Sequence, residues 1–285
     1  MIRTFLFPFG MILAIIAILG AYGRARRLSL AVLPVALFAA GPECWQYRPR
    51  SAPLIAGETV KVMSVNLLMV NENTRSIIEE IQREDPDILL LQEYTPVWHK
   101  AIQASIGEDL PHVAFQVRED SFGTAIYSNR PFEGPVEMYL PLGSASVPQM
   151  RVVIAISDRP VAFYNVHLLP PSGLEYTIEN RLQFADLAEL LSTEPLPVAV
   201  GGDFNFTQRS PQAAILRKQR LVDAHNAAGL GRGTTWPMIP SLWWMPSLRL
   251  DHLYIAGGLT CAKCQAGIGA GSDHRPVIGN IGFAR

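Results

Sequence analysis

The feature that most constrains the fold of this chain is a long apolar run at its N-terminus. Residues 5–22 carry no charged side chain. In an α-helix, which rises 1.5 Å per residue, a run of this length spans roughly 27 Å, close to the hydrocarbon thickness of a bilayer. An arginine-rich turn at residues 24–27 follows, and a second apolar stretch covers residues 28–40. We therefore predict that residues 1–48 form a membrane anchor, a hairpin of two transmembrane helices.

Two other arrangements would give a similar N-terminal pattern: a cleaved signal peptide followed by a linker, or one membrane span followed by an interfacial helix. No Ala-x-Ala site follows the first run within a few residues, and two apolar runs around an arginine cluster favour the hairpin. The positive-inside rule puts the turn at residues 24–27 in the cytoplasm and the rest of the chain outside it, although Arg48 and Arg50 oppose that orientation.

Beyond the anchor the sequence has the pattern of a linker and one domain. Residues 49–58 are rich in Pro, Ser, Ala and Gly, which is typical of a linker, and residues 59–285 form the predicted domain. One helix is capped by Asn73 and ended by Asp85–Pro86, and a second covers about 175–191. The predicted strands cover residues 60–67, 87–92, 112–117, 123–128, 135–140, 150–157, 160–166, 197–200, 248–255, 260–266 and 275–281. This order indicates packed sheets with outer helices.

The charge of the predicted domain disfavours a nucleic-acid substrate. From Leu54 onward the chain has 18 Lys and Arg residues and 24 Asp and Glu residues, a net charge of −6. Proteins that bind nucleic acid generally carry a basic face, because contacts to phosphates supply most of the non-specific affinity. A local basic groove would still be compatible with this count, so the charge lowers the expectation for DNA without excluding it.

Two of the three cysteines are close in sequence. The spacing Cys261-Ala-Lys-Cys264 is compatible with a redox pair, half of a zinc site or a short-range disulfide. A structural zinc needs a second pair of ligands, which the sequence does not offer. We therefore expect ordinary structural cysteines, with a disulfide as the alternative that would fit an extracytoplasmic location.

Polar residues stand at the ends of several apolar strands, where a strand holds a side chain rigidly in a cleft. Each motif is weak by itself, and the ordered set is informative. In chain order the residues are Asn66 in Met-Ser-Val-Asn-Leu, Glu93 in Leu-Leu-Leu-Gln-Glu, His167 in Tyr-Asn-Val-His-Leu, Asp203 and Asn205 in Gly-Gly-Asp-Phe-Asn, Asp251 in Arg-Leu-Asp-His, and Asp273 with His274 in Gly-Ser-Asp-His-Arg-Pro.

With these motifs in this order, the chain resembles the endonuclease/exonuclease/phosphatase family, which includes deoxyribonuclease I. The resemblance runs from about Val60 to Val277. It implies an α/β (α+β) fold, a four-layer α/β/β/α sandwich of two mixed β-sheets, here preceded by the N-terminal transmembrane helices. It also implies hydrolysis of a phosphoester bond by in-line attack of water, with no covalent enzyme intermediate.

The resemblance and the chemistry together indicate a Mg²⁺ site. A carboxylate such as Glu93 at the end of a leucine-rich strand is costly to bury unless a cation or hydrogen-bond donors meet it. Mg²⁺ takes oxygen ligands and commonly uses one or two carboxylates together with substrate phosphate. The predicted metal-site residues are Glu93, Asn66 and Asp273, and Mn²⁺ is an alternative ion.

The remaining motif residues match catalytic positions of the family. The resemblance implies that Asp203 orients or deprotonates the attacking water and that Asn205 donates to the phosphoryl oxygens. His274 is the expected general base or electrostatic partner of the phosphate, because imidazole titrates near neutral pH, and Asp251 would fix its tautomer. His167 resembles a histidine that contacts phosphate or assists the leaving oxygen. Arg181 and Arg249 are both expected in scaffold ion pairs, and phosphate contact is the alternative role for either.

The substrate is predicted from the anchor and one apolar segment. Residues 236–246 contain three tryptophans, at positions 236, 243 and 244, which would either enter the membrane interface or pack as satellite core. Together with the acidic domain, they favour a membrane lipid or lipid-linked phosphoester or pyrophosphate as substrate. An extracytoplasmic nuclease acting on DNA or RNA is the first alternative, and a catalytically silent, membrane-tethered binding module is the second.

Overall fold

The structure is a computed structural model that describes residues 6–23, 25–48, 53–238, 247–269 and 271–285. Two apolar helices come first: α1 (Leu6–Tyr22) and α2 (Arg26–Cys44), with a short 3-10 helix (Trp45–Tyr47) after α2. They pack as an antiparallel pair, and a Cβ added to Gly10 would lie 2.7 Å from the backbone nitrogen of Ala40. The absent side chain therefore lets the two helices approach closely.

The outer surface of this helix pair is apolar. Large side chains that are at least half exposed include Phe9, Ile12, Ile15, Ile18, Leu19, Leu28, Leu30, Leu37 and Phe38. The stretch Arg26–Tyr47 is long and apolar enough to cross a membrane, whereas α1 is a shorter apolar helix of 17 residues. The predicted hairpin of residues 1–48 is compatible with this arrangement and stays a prediction.

The first sheet has six strands in the order β10-β11-β1-β2-β4-β3. Its strands are β1 (Val60–Asn66), β2 (Ile88–Gln92), β3 (His112–Gln116), β4 (Thr124–Ser128), β10 (Leu259–Ala266) and β11 (Val277–Phe283). The pair β1 and β2 is parallel and the other neighbours are antiparallel, so the sheet is mixed. Cys261 and Cys264 on β10 are buried free thiols, as expected for structural cysteines.

The second sheet has five strands in the order β5-β6-β7-β9-β8. They are β5 (Met150–Ile156), β6 (Arg159–His167), β7 (Val198–Asp203), β8 (Val222–Asp223) and β9 (Asp251–Ala256). Here β6 and β7 are parallel and the other pairs are antiparallel. Both sheets are therefore mixed, which confirms that part of the predicted fold class.

The sheets and helices pack in four layers, with three buried apolar clusters between the layers. Successive strand residues face opposite sides of a sheet, so Val60 and Val62 pack between the sheets and Met63 and Val65 pack outward. Helices α3 (Thr74–Glu84) and α4 (Pro96–Ile106) cover the first sheet; α5 (Leu174–Thr193) and α6 (Pro211–Lys218) cover the second; α7 (Ala224–Ala228) follows β8. The predicted four-layer α/β/β/α sandwich is confirmed.

The element predictions needed several corrections, and the short elements β8 and α7 were not predicted. The predicted strand at 135–140 is wrong, because this segment forms only isolated bridges, from Glu137 to Arg151 and from Tyr139 to Gln149. Pro135 begins the segment and Pro141 follows it, and neither offers a backbone N–H to a ladder. Helices α4 and α6 were not predicted, although each begins at a proline after a capping Thr or Ser.

Candidate active site

The second sheet brings three of the predicted residues into one row. His167 ends β6, Asp203 ends β7 and Asp251 begins β9. The register pairs His167 with Asp203 and Asp203 with Asp251 on neighbouring strands. Strand pairing therefore fixes an imidazole and two carboxylates side by side at one edge of the sheet.

The first sheet contributes Asn66 and Glu93 to the same place. Asn66 ends β1 opposite Gln92 of β2, and Glu93 follows directly. Glu93 has a φ of 58°, a left-handed conformation that costs a non-glycine residue energy and that occurs often at functional sites. The Asn66 amide nitrogen Nδ2 lies 3.0 Å from Glu93 Oε1 and 3.3 Å from Asp203 Oδ2. Asn66 thus links the two sheets through their carboxylates.

Asp203 is the centre of the cluster. Its Oδ2 lies 3.7 Å from Nε2 of His167 and 3.8 Å from Nε2 of His274, while Oδ1 accepts a hydrogen bond from the backbone N–H of Asn205 at 2.9 Å. The side chain is 2% exposed. One carboxylate oxygen therefore faces two histidines and the Asn66 amide inside a shielded pocket.

His274 and Asp251 form a close pair with a 2.8 Å separation between Nδ1 and Oδ2. Burial lowers the pKa of His274, but the charges of Asp251 and Asp203 raise it by more, to about 10. Burial raises the pKa of Asp251; the charge of Asp203 raises it further and His274 opposes that shift. This pair orients the imidazole, with the Nε2 of His274 directed towards Asp203.

His167 is held by its backbone. Its N–H donates to Gln149 Oε1 and its carbonyl accepts from Gln149 Nε2, both at 2.7 Å. The ring of Phe122 lies 5.6 Å from the imidazole, centroid to centroid. Nδ1 of His167 is buried and has no hydrogen-bond partner among the residues that the structure describes. The imidazole is therefore fixed in place with Nε2 turned to Asp203.

Asn205 and Asp273 are held differently. Asn205 has a φ of 51°, and its Nδ2 donates to the carbonyl of Leu168 at 2.9 Å, so it braces the turn after β7. Asp273 Oδ2 accepts a hydrogen bond from the indole of Trp236 at 3.2 Å. Within the described ranges, no hydrogen bond or ion pair joins Asp273 to the predicted ligands Glu93 and Asn66. Its metal role stays a prediction.

Three supporting residues were missed from the sequence. Ser272 Oγ donates to the carbonyl of Asn66 at 2.7 Å and accepts from the N–H of His274 at 3.0 Å. Thr235 Oγ1 accepts from the N–H of Asp251 at 3.2 Å. Gln149 clamps His167, as described above. Ser272 lies inside a motif that was recognised, but Thr235 and Gln149 stand in irregular segments with no distinguishing pattern.

The residues of the cluster fit a divalent cation. Asp203, Asp251 and His274 offer ligand atoms that all lie within 4.8 Å of one another. The Glu93 carboxylate adjoins them through the amide nitrogen of Asn66, whose own Oδ1 accepts from the N–H of Leu68 at 3.1 Å. No Lys or Arg forms an ion pair with Glu93, Asp203 or Asp251 in the part of the chain that the structure describes. His274 offsets part of the negative charge of Glu93, Asp203 and Asp251, and the excess remains. Oxygen donors with excess negative charge are the chemistry that Mg²⁺ and Mn²⁺ prefer.

A second buried polar cluster lies beside the first. Asp223 Oδ2 is 3.2 Å from Nδ1 of His252 and 3.4 Å from Nη2 of Arg249, which also donates to Asn226 at 2.8 Å. Arg249 is 2% exposed. This confirms the scaffold ion pair expected for Arg249. Of the tryptophan-rich segment, Trp236 is described and contacts Asp273, whereas residues 239–246 lie outside the described residues.

Comparisons with known proteins agree with this geometry. The sequence profile described as the Endonuclease/Exonuclease/phosphatase family matches residues 63–274. The comparison with curated protein sequences found no match. Similar solved structures include the human Nocturnin catalytic domain with a bound sulfate anion, which is 19% identical, has a TM-score of 0.62, and aligns over 83% of this chain and 100% of its own.

Two further structures have the same fold. Sphingomyelinase C from Streptomyces griseocarneus is 16% identical, with a TM-score of 0.58, and aligns over 79% of this chain and 99% of its own. D. rerio TDP2 complexed with a single-strand DNA product is also 16% identical, with a TM-score of 0.62, and aligns over 79% of this chain and 100% of its own. At these identities the likeness supports the fold and leaves the substrate open.

Proposed function

The chain belongs to the endonuclease/exonuclease/phosphatase family, and on that premise we propose that it is a Mg²⁺-dependent hydrolase acting on the phosphoester or pyrophosphate of a membrane lipid or lipid-linked molecule. The family comprises hydrolases of phosphoester bonds. The observation that carries the proposal is the convergence on Asp203 of the Asn66 amide and the Nε2 atoms of His167 and His274. Such a convergence of a carboxylate, imidazoles and an amide suits water attack on phosphorus.

The proposed roles follow from the contacts. Asp203 would orient and deprotonate the attacking water, because its Oδ2 is the shared neighbour of both imidazoles. His274, paired with Asp251, would place a positive charge near the phosphoryl oxygens. His167 would face the leaving oxygen. Asn205 uses one amide hydrogen on the Leu168 carbonyl and keeps a second for a phosphoryl oxygen.

Glu93 and Asn66, with Asp273 as a further candidate, would hold the metal ion. When bound, Mg²⁺ would neutralise oxygen charge as the phosphoryl group is transferred. Glu93 is already braced for this role, since its Oε2 accepts the backbone N–H of Met69 at 2.7 Å. The strained backbone at Glu93 further supports a site that is organised for a ligand.

A membrane lipid is the proposed substrate class because of the N-terminal helices. Their exposed apolar surface supports a two-helix anchor over residues 1–48, joined by the linker 49–58 to the catalytic domain 59–285. The arginine-rich turn supports a location of that domain outside the cytoplasm. The structural similarity to sphingomyelinase C is compatible with a lipid phosphoester.

A nuclease is the second candidate function. It is favoured by the structural similarity to D. rerio TDP2 bound to a single-strand DNA product. The net charge of −6 from Leu54 onward opposes it, because a strand of nucleic acid needs a basic surface. A silent binding module is disfavoured, because every predicted catalytic residue is present.

One screen tests these alternatives. The full chain in detergent would be assayed with Mg²⁺ against a lipid pyrophosphate, sphingomyelin, inositol phosphates and plasmid DNA. We expect hydrolysis of a lipid substrate that Asp203→Ala and His274→Ala both abolish. Nicking of the plasmid with no lipid hydrolysis would favour the nuclease, and activity that survives both substitutions would refute the mechanism. Protease access to the domain in intact cells would test the orientation, and protection would contradict it.

A further inference from the structure

We propose that Glu43, in the last turn of α2, is a positioning residue for the active site, so that the helix pair braces the catalytic loops as well as attaching the chain to a membrane. The side chain of Glu43 is 2% exposed. Its Oε1 lies 3.1 Å from Nη2 of Arg209. Its Oε2 lies 2.5 Å from Nε of Arg232, a charge contact without hydrogen-bond geometry. One buried carboxylate on the helix pair thus holds two arginines of the catalytic domain.

Each of these arginines stands on a segment that carries site residues. Arg209 follows Asp203 and Asn205 on the segment that leaves β7. Arg232 begins the segment that leads to Thr235, which binds the N–H of Asp251. The next residue on that segment, Trp236, donates to Asp273. Glu43 therefore connects the two segments that flank the catalytic cluster.

Further contacts join the N-terminal helices to the catalytic domain beside Glu43. The N–H of Gly231 donates to the carbonyl of Gln46 at 2.8 Å. Gly231 has a φ of 73°, and a Cβ there would lie 3.0 Å from the ring of Tyr47, so a side chain would disturb both the backbone and the contact. The guanidinium of Arg232 also lies 4.8 Å from the ring centroid of Phe7 on α1. Both helices therefore contact the segment that begins at Gly231.

A third arginine adds to the electrostatic argument. Arg249, which precedes Asp251 by two positions, lines the same small cavity as Glu43, Arg209 and Arg232. Its Nε and Nη1 are buried without hydrogen-bond partners in the described part of the chain. Without the Glu43 carboxylate, three guanidinium groups would share this space with one fewer negative charge, and like charges with poor access to water repel strongly.

An acidic residue at this place is unfavourable unless its partners compensate for it. The C-terminal end of a helix carries partial negative charge, which opposes a carboxylate in the last turn. A helix that served only to attach the chain would need no buried acid facing the domain. Because a misplacement of about 1 Å in a catalytic group can lower the rate about 10²-fold, loosening of these two segments should reach the chemical step.

The inference rests on the proposed hydrolytic function. Its test includes hydrogen exchange, a measurement that does not depend on that function. The full chain in detergent micelles would be assayed with Mg²⁺ on the soluble probe bis(4-nitrophenyl) phosphate and on a lipid pyrophosphate in phosphatidylcholine vesicles. Glu43→Gln should lower kcat for the soluble probe about 10- to 100-fold with little change in KM. Glu43→Asp, which keeps the charge, should recover part of that loss. The control is Glu79→Gln, which breaks an exposed pair with Arg75 and should have no effect.

Hydrogen exchange followed by mass spectrometry supplies the second readout. Amides in residues 204–209 and 231–236 should exchange faster in Glu43→Gln than in the unmodified chain, and at the same rate in Glu79→Gln. Should Glu43→Gln fail to fold, Arg209→Gln removes the other half of one ion pair and should give the same pattern.

The outcomes separate this proposal from the proposed function. An unmodified chain that hydrolyses neither these probes nor any substrate of the screen above would refute the hydrolytic function, and hydrogen exchange alone would then decide the role of Glu43. A folded Glu43→Gln variant with normal kcat and normal exchange would overturn the positioning role. A loss confined to the vesicle substrate would also overturn it, because it would mean that Glu43 acts on presentation to the membrane and not on the catalytic loops.

Discussion

Two neighbouring residues of β9 enter two buried histidine–aspartate pairs that differ in charge balance. Asp251 pairs with His274 at 2.8 Å, and the next residue, His252, points to the opposite side of the strand and pairs with Asp223 at 3.2 Å. All four side chains are buried. Only the second pair has an arginine, Arg249, within ion-pair distance among the described residues.

The carboxylate pKa values follow this difference in charge. Burial raises the pKa of both acids. For Asp223, Arg249 and His252 outweigh burial and hold the pKa well below its usual range. For Asp251, the nearby Asp203 adds to the effect of burial, and the pKa is raised. The Asp223–His252 pair, whose charge is balanced by Arg249, is suited to stabilising the fold. The unbalanced cluster, which contains Asp251, His274 and Asp203 and has no arginine partner among the described residues, is suited to binding a cation.

The largest expected effect comes from Asp203→Asn. Loss of the central carboxylate should lower kcat/KM by about 10³-fold or more, because the attacking water loses its base. The free energy of unfolding should change by less than about 1 kcal/mol, because the variant also removes a charge that repels Asp251. Hydrolysis of bis(4-nitrophenyl) phosphate and urea unfolding in detergent would measure the two quantities.

The matched control for that substitution is Asp158→Asn, which replaces an exposed aspartate in a turn and should change neither quantity. If Asp203→Asn destabilised the chain by several kcal/mol, the proposed contrast between a catalytic and a structural pair would be wrong. Retention of activity by a folded Asp203→Asn variant would contradict the assignment of Asp203 as the base.

Asp223→Asn should show the opposite behaviour. It leaves Arg249 buried without its ionic partner, so the free energy of unfolding should fall by about 3 kcal/mol. The same urea experiment measures this loss. Because Asp223 does not contact the catalytic cluster, the folded variant should lose much less activity than Asp203→Asn. A large loss of kcat with unchanged stability would show that the two clusters act as one.

Metal binding should stabilise the folded chain through the unbalanced cluster and not through the Asp223–His252 pair. At about 100 times its dissociation constant, Mg²⁺ or Mn²⁺ should add about 2.7 kcal/mol to the free energy of unfolding. Excess EDTA should remove this increment. Glu93→Gln should weaken or abolish it, whereas Glu79→Gln and Asp223→Asn should keep it. An increment of equal size in Glu93→Gln would exclude Glu93 as a ligand.

The sequence predicted the ends of the buried strands better than it predicted the irregular parts of the fold. Strand ends such as Asn66, His167 and Asp203 could be predicted, because an apolar run followed by a polar residue marks the end of a buried strand. The segment 135–140 was predicted wrongly, because its apolar residues suggested a strand while its flanking prolines prevented regular pairing. The local sequence pattern was sufficient to predict the strand ends, and it was misleading for the segment 135–140.

Long-range charge pairing could not be predicted. Glu43 and Arg209 are far apart in sequence, and so are Asp223 and His252, and neither pair leaves a local signal. A carboxylate near an apolar helix end is equally compatible with exposure to water. Only the packing of α2 against the domain, and of β8 against β9, determines which charges meet.

The smallest expected effect is a pH dependence that separates the two aspartates. Asp223 has a lower pKa in the folded chain than in the unfolded chain, where it is about 3.9. Its contribution is therefore complete above about pH 5 and declines, by at most about 1.4 kcal/mol per pH unit, as the pH falls below 3.9 towards the folded pKa. The difference in unfolding free energy between the unmodified chain and Asp223→Asn should stay constant from pH 7 to 5 and shrink below pH 4. Asp251 has a raised folded pKa, so protonation with falling pH should favour the folded state instead. A difference for Asp223→Asn that grew on acidification would mean that Asp223 is not held as a charged partner of Arg249.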